Sequence, residues 1–154
     1  QLDNNKQRYY DNDATKTDFN VFGKATYTLN NLNIYTDLQY RSVDYSFLGF
    51  NNAGDNVQQR DILNFFNPKF GLTYQIDKIS NVYASFARAN KEPNRDDYTE
   101  SSPGSRPLAE RLDNIEVGYR YLRKNVTAGF NLYGMFYKDQ LILTGEVNDV
   151  GAYV

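Results

Sequence analysis

Apolar and polar side chains alternate along this chain with a period of two residues, which constrains the fold more than any other feature. From 19 to 29 one parity reads Val21, Gly23, Ala25, Tyr27, Leu29 and the other reads Asn20, Phe22, Lys24, Thr26, Thr28. Successive side chains of a β-strand point to opposite faces, so the pattern predicts one apolar and one mostly polar face. The alternation resumes over 32–41, after Asn30-Asn31, a pair that tolerates the left-handed backbone of a tight turn. Residues 19–41 are therefore predicted to form a β-hairpin.

Two further hairpins are predicted downstream. The second pairs 68–76 with a strand that passes through Val82, Ala84 and Phe86 and fades after Arg88. Its turn is expected near 77–81.

The third hairpin is predicted to pair 115–121 with 126–136 around a turn at 122–125. The parity slips near Lys138-Asp139, where Leu141 and Leu143 fall on the opposite phase, so we expect a bulge or a strand that leaves the bilayer there.

The connections at the two ends of these hairpins differ in length. Short turns fall at one end, whereas the predicted long loops, 1–18, 47–63, 90–111 and the tail from 145, fall at the other. The fold class is therefore all-β, an antiparallel up-and-down meander of about six to seven strands. Short turns opposite long loops, with strands of about 9 to 11 residues, are typical of a transmembrane β-barrel. A soluble up-and-down sheet with an internal core is the alternative. Aromatic residues near strand ends would suit interfacial girdles: Tyr27, Tyr40, Tyr74 and Tyr121.

Composition excludes several classes of function. With 14 Tyr and 10 Phe the chain is too aromatic to be disordered, and a net charge of −2 offers no basic face for nucleic acid. It has no Cys and no His, so it lacks a thiolate nucleophile and the commonest general base and metal ligand. We therefore expect no enzyme activity, no catalytic residue, no metal site and no cofactor.

About six strands are too few to close a barrel, which needs about eight. The chain opens on polar residues from Gln1, without the features of a signal peptide, and no window approaches the about 18 apolar residues of a membrane helix. We therefore expect residues 1–154 to be a single, incomplete barrel segment.

Several stretches resemble one known family. These are NVYASFARANKEPNRDDY at 81–98, PLAERLDNIEVGYRY at 107–121 and NLYGMFYKDQLILTGEVNDVGAYV at 131–154, together with FNVFGKATYTL at 19–29 and LNIYTDLQYR at 32–41. They resemble the C-terminal β-barrel of TonB-dependent outer-membrane receptors, particularly those of Bacteroides-like bacteria.

The resemblance implies a 22-strand barrel in the outer membrane of a Gram-negative cell, with spanning strands and extracellular long loops. It implies as partners the outer-membrane lipid, an N-terminal plug and the remaining strands of the parent chain, the TonB complex reached through the plug, and a small nutrient. The plug, the TonB box and the final strand are not recognised in 1–154. Ferric siderophore is the expected nutrient; glycan or cobalamin uptake, or a soluble lipocalin-like binding module, are the alternatives.

Candidate site residues are few, and none is assigned to ligand binding. The run from Lys91 to Tyr98 resembles a family hallmark in which Glu92 and Arg95 could pair with each other, the plug or ligand; the simpler interpretation is a solvated, Pro-containing loop. Asp96-Asp97 is not predicted to be a catalytic or metal pair, because adjacent strand-like side chains point apart.

Other candidates lie on the predicted luminal face or in turns. The luminal candidates are Tyr35, Arg41, Tyr83, Arg120, Asn131 and Tyr133. Gly118 and Gly129 would admit the plug closely or mark sheet curvature, and Gly145-Glu146 with Asn148-Asp149 would form a binding loop or an ordinary turn.

Overall fold

The computed structural model describes residues 11–50, 56, 58–99 and 106–140, and these form a single six-stranded antiparallel sheet. The strands neighbour one another in chain order: β1 (Asp11–Leu29), β2 (Leu32–Phe50), β3 (Gln59–Gln75), β4 (Ser80–Lys91), β5 (Glu110–Arg123) and β6 (Val126–Lys138). One short helix, α1 (Arg95–Thr99), lies between β4 and β5. The predicted meander is thus confirmed with six strands; the tail from 145 lies outside the described residues.

The register runs without an inserted residue through each of the paired segments described. Side-chain parity is therefore kept from β1 to β6, and the predicted facing is seen directly in rows of Cα partners. One such row on the apolar face is Tyr27, Ile34, Leu72, Ala84, Val117 and Leu132. The opposite, polar face carries, in one row, Thr73, Tyr83, Gly118 and Asn131.

Short turns join the strands at one end of the sheet, which we call the turn end. Asn30 has a left-handed backbone (φ 52°), as the Asn-Asn pair predicted. In the β3–β4 turn the Asp77 carboxylate accepts a hydrogen bond from the Ile79 amide at 2.8 Å, and this bond lowers the pKa of Asp77. The opposite end, where β2 and β4 finish and β3 and β5 begin, is called the loop end. The third hairpin ends at Lys138, and Asp139 has a positive φ of 55° where the parity slip was predicted.

The strands are longer than predicted at the loop end. Expected lengths were about 9 to 11 residues, whereas β1 and β2 have 19 each and β3 has 17. The predicted loops 1–18, 47–63 and 90–111 are therefore wrong at their flanks. The reason is that the alternation is lost near the loop end: from Asp13 to Asp18 nearly every side chain of β1 is polar, and in β2 and β3 apolar residues such as Phe47 and Phe65 lie on the polar face. Cross-strand ion pairs such as Arg60 with Asp44 and Arg88 with Asp113 accompany the pairing there.

The buried hydrophobic side chains gather on the polar face near the loop end. Val43, Tyr45 and Phe47 of β2 and Phe65 of β3 are buried there, and Tyr45 and Phe47 pack against Tyr98 of α1. The apolar face is uncovered: Phe19, Leu132 and Phe136 are 60%, 64% and 62% exposed. A continuous exposed apolar face of this width needs an apolar environment or partner.

Candidate functional site

The connection that follows β4 folds inward across the polar face and reaches β1 and β2. The Glu92 carboxylate accepts hydrogen bonds from Lys16 Nζ at 2.6 Å and from Arg41 Nη1 and Nη2 at 2.7 and 3.0 Å. Arg41 also donates from Nε to both oxygens of Asp18, at 3.2 and 2.9 Å. Two cations and two carboxylates thus join three parts of the chain that are distant in sequence.

The charge state of Glu92 is fixed by this cluster. Burial opposes ionisation of the carboxyl group, but the hydrogen bonds from Arg41 and Lys16 outweigh it and lower the pKa of Glu92 to about 2. Hydrogen bonds to the charged form always act in this direction. Glu92 is therefore a carboxylate at neutral pH, and the inward contact is ionic.

Tyr98 anchors the same connection on β2 and β3. Its side chain is fully buried, with the ring centroid 5.6 Å from that of Tyr45 and 5.1 Å from that of Phe47. Its hydroxyl donates to Asp61 Oδ2 at 2.8 Å, and its carbonyl accepts from Gln59 Nε2 at 2.8 Å. Burial and the neighbouring Asp61 carboxylate raise the pKa of Tyr98 above its usual value.

Asn94 and Asp97 shape the chain between these two anchors. Asn94 Oδ1 accepts from the amides of Asp96 and Asp97 at 2.9 and 3.1 Å, while Asp97 Oδ2 accepts from the Asn94 amide at 2.7 Å. This reciprocal arrangement is a helix N-cap. Asp96 and Asp97 therefore lie in the first turn of α1 rather than form an acid pair.

The interpretation of 91–98 as a solvated loop is thus corrected. Pro93 and Tyr98 are buried, and Glu92 pairs with Lys16 and Arg41, two residues that the sequence alone did not link to it. Arg95 opens α1.

A second polar cluster lies on the same face near the turn end. The Tyr83 hydroxyl donates to Glu116 Oε1 at 2.8 Å, and Asn131 Nδ2 donates to the same oxygen at 3.1 Å. The Arg120 guanidinium lies 4.2 Å from the centroid of the Tyr83 ring. The ring lies over Gly118, where a Cβ would fall 2.4 Å from Tyr83 Cζ. Gly118 is therefore needed to seat the tyrosine.

An open groove of about 360 Å³ runs along this cluster. Its lining includes Tyr35, Gly71, Thr73, Tyr83, Glu116 and Arg120. Three of the luminal candidates, Tyr83, Arg120 and Asn131, thus come together, and Tyr35 borders the same groove. Arg41 lies instead in the Glu92 cluster near the loop end. Tyr133, the Cα partner of Glu116 on the neighbouring strand, is 67% exposed. At Gly129 an added Cβ would lie 3.7 Å from the Tyr119 carbonyl oxygen, an ordinary van der Waals distance, so the space there does not require a glycine. The candidate loop at 145–149 lies outside the described residues.

The described residues contain neither an acidic metal-binding group nor a membrane-spanning helix. Between residues 11 and 140, with the gaps given above, there is no group of three or more Asp and Glu side chains arranged to hold a metal ion. None of the helical structure in that part of the chain is long and apolar enough to cross a membrane.

Comparison with known proteins assigns the family. The sequence profile described as "TonB dependent receptor-like, beta-barrel" matches residues 1–154. The chain belongs to this family. TonB-dependent receptor barrels are outer-membrane proteins, and the six-stranded meander matches part of such a barrel. A search of the curated proteins found no match.

Three solved structures similar to this receptor barrel segment are transporters. The FrpB iron transporter from Neisseria meningitidis superposes with a TM-score of 0.68 at 21% identity, covering 94% of this chain and 22% of that one. The apoprotein form of another FrpB variant gives 0.64 at 20% identity, covering 92% and 21%. The copper transporter OprC gives 0.65 at 16% identity, covering 83% and 22%. The segment spans about a fifth of the length of these chains, and at such identities the likeness shows the fold.

Some residues of the receptor barrel's polar face were missed by the sequence analysis. Lys16 and Asp18 fell in a predicted loop, and Gln59 and Asp61 in another. The missing signal is the parity of β1 and β3, which extends unchanged into both loops and places all four on the polar face. Glu116, the hydrogen-bond partner of Tyr83, was not among the candidates either.

Proposed function

We propose that this chain supplies wall strands of a TonB-dependent outer-membrane transporter that takes up iron as a ferric siderophore. The observation that carries the proposal is the unbroken apolar face across six strands, opposite a polar face, in a chain matched throughout by the receptor barrel profile. In this proposal the apolar face contacts lipid, the polar face lines the lumen and the loop end is extracellular.

The remainder of the transporter lies elsewhere in a longer protein. Residues 1–154 act as a single wall segment, with the plug and the remaining strands as partners in the parent chain and the TonB complex reached through the plug. The share of about a fifth that the segment covers in the similar transporters supports this.

Iron is the preferred cargo because two of the similar structures are FrpB iron transporters. Copper is a second candidate, favoured by the similarity to OprC. Glycan and cobalamin uptake stay as further alternatives, whereas family membership replaces the soluble lipocalin-like module.

The two polar clusters fit a luminal wall. The Glu92 and Tyr98 contacts hold the β4–β5 connection against the inner face near the loop end, which narrows the bore at its proposed outer mouth. The groove beside Tyr83 and Arg120 offers hydrogen-bond donors and a guanidinium at the opposite end.

The test is uptake by cells that carry or lack the gene. We expect deletion of the full-length gene to abolish uptake of radiolabelled iron from a ferric siderophore, disruption of TonB to do the same, and the wild-type gene to restore uptake. Copper, cobalamin and glycan uptake measured in the same strains serve as controls. Unchanged iron uptake with a loss of one of the other three would contradict the siderophore proposal and identify the cargo.

A further inference from the structure

A cluster of basic side chains lies on the apolar side of the sheet, just beyond the end of the apolar rows. We propose that Arg88, Arg111 and Lys138, grouped around Asp113, bind the phosphate of an anionic lipid headgroup. This rests on the proposed function, because it requires the apolar face to contact a bilayer. We call these four residues the outward basic patch.

The register places the patch next to the apolar rows on three adjacent strands. Arg88 comes two residues after Phe86 on β4, Asp113 two residues before Ile115 on β5, and Lys138 two residues after Phe136 on β6. Phe86 is the Cα partner of Ile115, and Arg88 is the partner of Asp113. Because parity is kept through these pairings, the patch shares the face of the apolar rows.

That position limits which ligands the patch can contact. On the side of the patch toward the turn end the face is apolar, with Phe136 62% and Ile115 47% exposed. A side chain at the edge of a lipid-facing apolar band lies at the depth of the headgroups, where phosphates are the available anions. Continuity with the apolar face therefore favours lipid over a soluble partner.

The charges of the patch do not cancel. Arg88 Nε is 2.6 Å from Asp113 Oδ1, and Arg111 Nε is 3.3 Å from Asp113 Oδ2, so one carboxylate serves two guanidinium groups. Among the described residues, the contact of Lys138, the Cα partner of Arg111, is a distant one of 3.9 Å with Asp139. Three cations against these two carboxylates leave a net charge of +1.

Donor groups remain for a phosphate. Arg88 uses Nε and Nη2 toward Asp113, and among the described residues no hydrogen bond is made by its Nη1. Arg111 Nε is buried and faces Asp113, so any phosphate contact of this residue falls to its Nη atoms. The Lys138 side chain is 63% exposed. A guanidinium presents a planar set of donors that matches phosphate oxygens, and each cation near an anionic surface contributes about 1 kcal/mol.

The experiment uses the full-length protein in detergent, exchanged into phosphatidylcholine with or without a minor fraction of diphosphorylated lipid A. Native mass spectrometry then counts the lipid A molecules retained. We expect the triple variant R88Q/R111Q/K138Q to retain about tenfold less lipid A than the wild type. The matched control is Lys24→Gln, which removes one cation paired with an aspartate on the polar face, 3.5 Å from Asp37.

A single substitution, Lys138→Gln, guards against misfolding of the triple variant, because Lys138 is the exposed last residue of β6. We expect it to lower retention severalfold with unchanged thermal stability. Equal retention by wild type and K138Q, or a loss equalled by Lys24→Gln, would overturn the inference. Displacement of bound lipid A by inorganic phosphate, together with equal retention of lipid A and phosphatidylcholine by the wild type, would show that the patch binds phosphate in general and not the lipid headgroup. Iron uptake by cells that carry the triple variant tests the transport proposal separately, because uptake does not depend on lipid A retention.

Discussion

The phenol ring of Tyr83 lies across Gly118, its Cα partner on the neighbouring strand. From this seat the Tyr83 hydroxyl reaches Glu116 at 2.8 Å, and the ring lies 4.2 Å from the Arg120 guanidinium carbon. Tyr35 repeats the arrangement over its own Cα partner Gly71, where a Cβ would fall 3.2 Å from Tyr35 Cδ1. An aromatic ring over a strand glycine covers backbone that would otherwise be exposed and fixes the register of the pair.

Gly118→Ala should destabilise the full-length barrel by about 1 to 3 kcal/mol, because the ring of Tyr83 must leave its seat. Urea unfolding in detergent, followed by tyrosine fluorescence, measures the change. The matched control is Gly23→Ala, since a Cβ at Gly23 meets nothing within 4 Å and its cost should be near zero.

A double-mutant cycle isolates the contact. In a Tyr83→Ala background the cost of Gly118→Ala should disappear, because no ring remains to be displaced. An equal cost in both backgrounds would show that the glycine serves backbone conformation instead of the tyrosine.

The facing of β6 predicts that arginine substitutions at two adjacent positions have very different effects on stability. Leu132 is on the apolar face and Asn131 on the polar face. Leu132→Arg should cost about 2 to 4 kcal/mol if it lies at the bilayer midplane, whereas Asn131→Arg should cost little. Unfolding from lipid vesicles compares the two variants, and similar costs would refute the facing.

Glu92 predicts an acid-sensitive contact. Its pKa falls from 4.5 to about 2 on folding. A group whose pKa is lowered stabilises fully above its unfolded value, so this stabilisation, at most about 3 kcal/mol, should be lost as pH falls from about 4.5 toward 2. Amides of 92–99 should lose protection in that window in the wild type, measured as hydrogen exchange relative to the intrinsic rate at each pH.

Glu92→Gln should remove this dependence and give fast exchange at neutral pH. Asp44→Asn is the charge-matched control, because it breaks only the Asp44–Arg60 pair on the other face and should leave 92–99 unchanged. A steep acid response that persists in the Glu92→Gln protein would assign it to other carboxyl groups.

Tyr98 predicts a graded response to truncation. Tyr98→Phe keeps the ring between Tyr45 and Phe47 but removes the bond to Asp61, and should weaken the anchor by about 1 to 2 kcal/mol. Tyr98→Ala also empties the buried site and should cost about 3 to 5 kcal/mol. Limited proteolysis of the β4–β5 connection should follow the order wild type, Phe, Ala. Equal cleavage of Phe and Ala variants would mean that the ring contributes nothing.

The sequence predicted the hairpins well because each is local: the turn at Asn30 and the two parities on either side lie within a few residues of each other. It failed near the loop end, where β1 is almost wholly polar and apolar residues of β2 and β3 such as Phe47 lie on the polar face. The alternation that reveals a strand is lost there, although the pairing, of Asp44 with Ile62 for instance, continues. The Glu92 cluster was out of reach for a different reason. Arg41 and Lys16 lie 51 and 76 residues from Glu92 in sequence, and only the inward fold of the connection brings them together.

The uninterrupted register has a consequence for how such a wall can vary. Inserting one residue inside β5 would move Val117 and Tyr119 to the polar face and Glu116 and Arg120 to the apolar face, a simultaneous error at every position beyond the insertion. Insertions or deletions within a strand therefore keep the facing only when they change its length by an even number of residues. Odd-numbered insertions, epitope tags included, belong in the connections at the loop end, where they leave the facing of every strand untouched.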